Sequence, residues 1–244
     1  MKYSIIIPTL NEEKLLLQLL EQIGCEEKRK LYNYEIIISD GGSTDKTIEY
    51  ATNLADKVIL AKKSEPQNIA RGRNSGASVA TGEILVFINA DILLPLKNDK
   101  FFHFLEDTFY ESVFDAFTCK VSIFPQEQIL SDVIFHFIYN NYFRLLNILG
   151  VGMGRGECQV IRKEIFDKVG GYNVTLAAGE DFDLFRRIKN AGSKILYTFK
   201  ICVYESPRRF RKYGYLNVTL NWVKNGISVL VNNKSISKEW QQVR

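Results

Sequence analysis

Three short acidic clusters are where chemistry could be done by this chain: Asp40-Gly-Gly-Ser-Thr-Asp45, Asn89-Ala-Asp91 and Gly179-Glu-Asp181. Asp40 ends an apolar run and is an acceptor-only group, suited to a base N–H or a ribose hydroxyl. Gly41 and Gly42 beside it allow close backbone approach. The same hexapeptide also reads as a turn in which Ser43 or Thr44 caps the next helix, and the two readings use different residues. Asn89 and Asp91 put two oxygen ligands on one side of a strand end. A hard cation, Mg2+ or Mn2+, suits such a pair and would complete its shell with water and substrate phosphates, although a plain turn explains the tripeptide equally well. Glu180 and Asp181 open a helix, where capping and the macrodipole alone account for acids.

Several chemistries are excluded. The loop after the first strand has no glycine, so the dinucleotide fingerprint is missing where it would have to occur, and Asp45-Lys46-Thr47 lacks the spacing of a phosphate-cradling loop. Four cysteines (Cys25, Cys119, Cys158, Cys202) without a CxxC pair, and only His103 and His136, indicate neither a zinc site nor a disulfide framework. Among 244 residues, 46% are hydrophobic and 25% charged, an ordinary globular balance that excludes disorder and a coiled-coil rod. The net charge of +4 is unevenly placed: from Glu205 to Arg244 eight basic residues face two acidic ones. A nucleic-acid binder is not expected. A basic tail that meets phosphates or an anionic membrane surface is. The first residues are too soon acidic for a signal peptide, so a cytoplasmic protein is expected, or one at the inner face of the membrane.

The elements that must position these clusters follow from hydrophobic periodicity. Tyr3 to Ile7, Tyr34 to Ser39, Lys57 to Ala61 and Glu83 to Ile88 read as strands separated by helices. Apolar on both faces, they predict a Rossmann-like, mostly parallel α/β sheet flanked by helices, whose strand ends share one ligand crevice. Ala116 to Phe124 is β-like. From Ile129 to Gly150 an apolar helix carries a narrow polar stripe, Asp132, His136, Asn140 and Arg144. It reads as a buried helix or as one lying on a membrane or a lipid-linked substrate. Beyond Pro207, Leu216, Leu220, Val223, Ile227 and Leu230 predict one C-terminal amphipathic helix, packed on the domain or touching a membrane. The expected organisation is a donor half (1–95), an acceptor and catalytic half of the same domain (96–205) and a basic helical tail (206–244).

Taken in order, Ile7-Pro8-Thr9-Leu10-Asn11-Glu12-Glu13, Asp40 to Thr47, Arg71-Gly-Arg-Asn-Ser-Gly76 with Ala80-Thr-Gly82, Asn89-Ala-Asp91, Val169-Gly-Gly-Tyr172 and Glu180-Asp181 closely resemble family 2 glycosyltransferases of the GT-A fold. The resemblance covers about residues 3 to 200, and Arg208-Arg209-Phe210 is similar to the Arg-Trp element that follows in many members. It implies inverting transfer of a sugar from a nucleotide diphosphate donor to an acceptor hydroxyl, with Mn2+ or Mg2+ on the diphosphate. By position, Pro8, Thr9, Asn11, Glu12, Asp40, Arg71, Asn74 and Ala90 would bind the nucleotide sugar, with Arg208 and Arg209 on its phosphates. Asp91 with Asn89 would hold the metal, Asp181 would be the general base, and Glu180 would orient the acceptor beside Arg155 and Gly156. Asn89 departs from the family's usual Asp, which makes for a weaker metal site.

Two other readings stand beside this one. The acceptor is a polyprenyl phosphate or glycolipid and the enzyme works at a membrane surface; or the chain is a binding or scaffolding protein that kept the fold without turnover.

Overall fold

The strand Tyr3–Thr9 (β1) is apolar on both faces, so it is stable only in the middle of a sheet with helices above and below. It takes that place in the computed structural model, which describes residues 1–62, 67–95 and 99–237. β1 pairs in parallel with Tyr34–Asp40 (β2) and with Ile84–Ile88 (β4), and Lys57–Leu60 (β3) extends the sheet beyond β2. Past β4 the direction changes. Cys158–Arg162 (β7) runs antiparallel to β4, Ala116–Ile123 (β6) is antiparallel to β7, and Ile195–Glu205 (β8) lies parallel to β6. The two-residue strand Ile92–Leu93 (β5) closes the far edge, giving the order β3-β2-β1-β4-β7-β6-β8-β5.

Alternate side chains of the central strands feed opposite faces. Ile5, Ile7, Ile36 and Ile38 join Leu16, Leu19, Leu20 and Ile23 of Glu13–Ile23 (α1), spaced at helical period, and the aromatic rings of Lys100–Phe104 (α5). On the other face Ile6, Ile37 and Phe87 pack against Ile69–Ser78 (α4), Lys163–Lys168 (α7) and Glu180–Asn190 (α8). Gly76 makes the second layer possible: a Cβ there would stand 2.3 Å from Ile6 Cγ2, so only glycine lets α4 lie this close to β1. Glu26–Tyr32 (α2) and Thr47–Leu54 (α3) complete the first half.

The sequence and the structure differ at instructive places. β8 is not among the strands read above and extends to Glu205, with a register shift opposite Cys119/Lys120, because β6 supplies a parallel partner on both sides of the shift. The tail is two helices, Arg208–Tyr213 (α9) and Tyr215–Asn232 (α10), broken at Gly214 with φ 73°. Neither Ser43 nor Thr44 caps α3. Asp45 Oδ1 accepts from Thr47 N instead, and the two hydroxyl residues tie this loop to the one after β1. The helix Leu130–Ile148 (α6) is not buried as a whole: Asp132, His136 and Asn140 of its polar stripe face the protein, Arg144 is exposed, and most of its apolar residues face out. Lys238 and Arg244 of the basic tail lie outside the described residues. No helix among the described residues is long and apolar enough to cross a membrane.

Candidate active site

The loops after β1, β2 and β4 converge at the carboxyl edge of the parallel strands, where a cavity of about 310 Å³ opens. The first loop contributes Pro8, Thr9, Leu10 and Glu12, the second Asp40 and Gly41, and the third Asn89, Ala90 and Asp91. Arg208 and Arg209 from the start of α9 face them, Glu157 and Glu205 form part of the wall, and Trp222 of α10 reaches the rim.

The first two loops are lashed together. Asn11, in the left-handed region at φ 51°, donates its backbone N–H to Ser43 Oγ at 2.7 Å and accepts from Thr44 N on Oδ1 at 2.7 Å. Glu12 N donates to Thr47 Oγ1 at 2.7 Å. Asp40 spends its carboxylate on the same lashing. It accepts from Gly42 N and Ser43 N, both at 2.8 Å, and from the Thr9 and Ser43 hydroxyls. Asp40 is thus on the cavity wall but saturated by its own loop, and Asn11 braces that loop without lining the cavity.

Arg208 is the cation of the mouth. Its Nη2 donates to Glu12 Oε1 at 2.7 Å and to Asp91 Oδ2 at 3.0 Å, so strand ends far apart in sequence share one guanidinium. Arg209 is more deeply set, and burial lowers its pKa although Asp91 and Glu205 oppose the change.

Beneath the wall lies a second cation, which sequence reasoning missed. Arg73 is fully buried; its Nη1 donates to Glu180 Oε1 at 2.9 Å, and its Nη2 to Asn89 Oδ1 at 3.0 Å and Gly156 O at 2.8 Å. Its signal was present: Ala70, Arg73, Gly76 and Ala77 fall on one helix face, and an arginine among small buried residues requires an acidic partner. The residues named in its place have other partners. Asn74 clamps the backbone of Tyr172 through both its amide atoms, and neither Asn74 nor Arg71 lines the cavity.

Asp181 follows Glu180 at the start of α8. It is half-buried, its Oδ1 accepts from Phe182 N at 2.8 Å, and it is not among the residues that line the cavity. A Cβ on Gly156 would sit 3.1 Å from Asp181 Oδ2 and 3.4 Å from Arg73 Nη2, so glycine leaves room for these groups side by side. Burial, and then the neighbouring Glu180, push the Asp181 carboxyl up to about 7, against the pull of Arg73. A carboxylate that titrates there is matched to accepting a proton near neutrality.

Arg155 is a buried arginine. It is buried between the rings of Tyr139 and Phe143, paired with Glu157 at 3.2 Å and Glu205 at 3.3 Å, and bonded to Asn140. Burial opposes the ionisation of Glu157, but Arg155 outweighs it and holds that carboxyl low. Glu205 is held well above its usual range, by burial first and Glu157 second. The polar stripe of α6 serves this centre: Asn140 bonds Arg155, and His136, pushed down to about 3 by burial and by Arg155, lies beside Glu205.

Comparisons with known proteins give the family and the fold. The model of glycosyl transferase family 2 matches residues 4–170. The chain belongs to that family. It is a glycosyltransferase, which displaces the reading of a binding or scaffolding protein. A PGL/p-HBAD biosynthesis glycosyltransferase of Mycobacterium bovis is 29% identical over 97% of this chain and 82% of its own. The 4,4'-diaponeurosporenoate glycosyltransferase of Staphylococcus haemolyticus is 28% identical over 81% of this chain and 50% of its own. The fold matches the mannosyltransferase PcManGT from Pyrobaculum calidifontis in complex with GDP-Man and Mn2+ (TM-score 0.64, 21% identity, 92% of this chain and 65% of that one). It also matches S. aureus TarS 1-349 in complex with UDP-GlcNAc (TM-score 0.61, 18% identity, 84% of this chain and 58% of that one). The GT-A-type α/β fold expected from the sequence is therefore present.

Proposed function

We propose that this glycosyltransferase moves a sugar from a nucleotide diphosphate sugar to an acceptor hydroxyl with inversion, in one displacement. The observation that carries the proposal is Arg73, whose two amino groups tie Glu180, next to Asp181, to Asn89 on the cavity wall. The acid pair and the cavity are thereby parts of one rigid unit, as in-line attack requires. The acceptor oxygen attacks the anomeric carbon as the bond from that carbon to the phosphate oxygen breaks. Asp181 takes the hydroxyl proton, and the nucleoside diphosphate leaves with its electron pair. Pro8, Thr9, Glu12, the loop fixed by Asp40, and Ala90 receive the nucleoside and ribose. Arg208 and Arg209 face the diphosphate and stabilise its growing charge. Glu180, held by Arg73, fixes the start of α8, and Gly156 keeps the space in front of Asp181 clear for the acceptor.

A divalent cation fits the oxygen chemistry of Asp91 and of a diphosphate. Among the described residues no group of three or more His, Cys, Asp or Glu could hold an ion without substrate. Asp91 would be its protein ligand, whereas Asn89 presents its carbonyl oxygen to Arg73. Bound there, Mn2+ or Mg2+ would neutralise charge on the leaving phosphates.

A second reading concerns the acceptor. The outward apolar faces of α6 and α10 favour a lipid-linked acceptor presented at a membrane surface over a free sugar.

The donor is tested by thermal denaturation of the purified chain with UDP- and GDP-sugars, with and without Mn2+. A true donor at a hundred times its Kd adds about 2.7 kcal/mol. If no nucleotide sugar stabilises the protein and none is hydrolysed, the proposal fails.

A further inference from the structure

Two neighbouring helices of this protein turn apolar side chains to the solvent, and one of them, α6, is built inside out. On α6 the residues that face the protein are Asp132, His136, Asn140 and Phe143, all buried, with Asp132 paired to Arg211 at 2.6 Å and bonded to the Tyr215 hydroxyl. The opposite side carries Leu130, Ile134, Phe137, Ile138, Leu145 and Ile148, each more than half exposed, with Phe137 at 69% and Ile148 at 70%. α10 is apolar on both sides. Val218, Trp222, Asn225 and Val229 face inward, whereas Leu216, Leu220, Val223, Ile227 and Leu230, the stripe that the sequence marks as a single helix face, point away from the protein. The two helices touch through tilted ring pairs, Phe135 with Tyr215 at 4.4 Å and Tyr139 with Trp222 at 5.3 Å. Such a contiguous apolar surface on a water-soluble face is costly, and the polar inward stripe of α6 shows that its outward face is not a misplaced core face.

The charges around this surface identify what covers it. There is no acidic residue from Ser206 to Ser237, nor between Asp132 and Glu157. Exposed Arg144, Lys200, Lys212, Lys224 and Lys234 are carried on or beside the two helices. Arg144 also lies over the ring of Phe199 at 5.4 Å, at the irregularity in the middle of β8, which adds an exposed aromatic residue next to a lysine. Glu127, just before α6, is the nearest exposed acid along the chain. A second copy of this chain would place these cations against their own likeness, whereas an anionic bilayer supplies both apolar depth and negative charge.

We propose that the α6–α10 face is a docking surface for an anionic lipid bilayer, into which its outward apolar side chains insert while the basic residues meet the headgroups. Trp222, packed against Tyr139 and also on the rim of the cavity, places the site beside that surface. The proposal bears on where the transferase meets a lipid-linked acceptor, but docking itself requires neither donor nor turnover, so the two can fail separately.

The test is flotation of the full chain with phosphatidylcholine vesicles, with and without phosphatidylglycerol. The expected result is co-flotation with phosphatidylglycerol-containing vesicles, weaker with phosphatidylcholine alone and weakened by salt. The double variant Phe137→Ser/Ile227→Ser alters two exposed side chains that do not line the cavity. It should keep the wild-type thermal midpoint and lose about tenfold in vesicle affinity for each substitution. Absence of flotation, or flotation that neither lipid charge nor the double variant affects, overturns the proposal. So does a lipid-free dimer that the same substitutions convert to monomer.

Discussion

Arg73 and Asn89 meet at 3.0 Å through Nη2 and Oδ1, and this neutral partner leaves the guanidinium's whole charge to the acid pair at the start of α8. The asparagine that looks from the sequence like a weakened metal ligand is, in the folded protein, the second anchor of a buried cation. Its neutrality then bears on the Asp181 carboxyl, which Arg73 pulls down.

Asn89→Asp tests that relationship. A carboxylate beside Arg73 would take up part of its charge, and the pull that Arg73 exerts on Asp181 would weaken. Asp181 would then ionise at higher pH, and the rising limb of kcat/KM against pH should move to higher pH by about one unit. An unshifted limb with a tighter Mn2+ requirement would return Asn89 to the metal.

Arg73→Met leaves Glu180, only 4% exposed, without its partner. An uncompensated buried carboxylate costs about 3–5 kcal/mol, read by urea unfolding, and Arg73→Met/Glu180→Gln should recover most of the loss. If the double variant is no more stable than the single one, the pair is not coupled.

Arg208→Gln removes the group that bridges Glu12 at 2.7 Å and Asp91 at 3.0 Å. Loss of a charge-assisted contact to the diphosphate should raise the donor KM about tenfold, with the thermal midpoint little changed. An unchanged KM, measured by initial rates, would move the diphosphate elsewhere in the cavity.

Much of the first half was legible in the sequence because its signals are local. Isoleucine runs such as Ile5-Ile6-Ile7 mark central strands, and the polar residues that end them must gather at the carboxyl edge. What lay hidden depends on partners distant in sequence. Arg155 reads as a loop arginine until Glu157 and Glu205 are seen on either side of it, and Asp40 reads as a free acceptor until its four donors are counted. The periodicity of α6 and α10 showed which residues share a face. It did not show which face looks inward, because that depends on the aromatic residues around Trp222 and on the pairing of Asp132 with Arg211.

The central claim is that Asp181 accepts the acceptor's proton, and the pH dependence of transfer in wild type and Asp181→Asn tests it most directly. The account predicts a wild-type rate that rises through about pH 7, as burial and Glu180 set for this carboxyl, because below that pH it is protonated and cannot serve as a base. Asp181→Asn should bind the donor with unchanged affinity and lose about a hundredfold or more in kcat, with the rising limb abolished. A variant that keeps both the rate and the limb would place the base elsewhere and contradict the account.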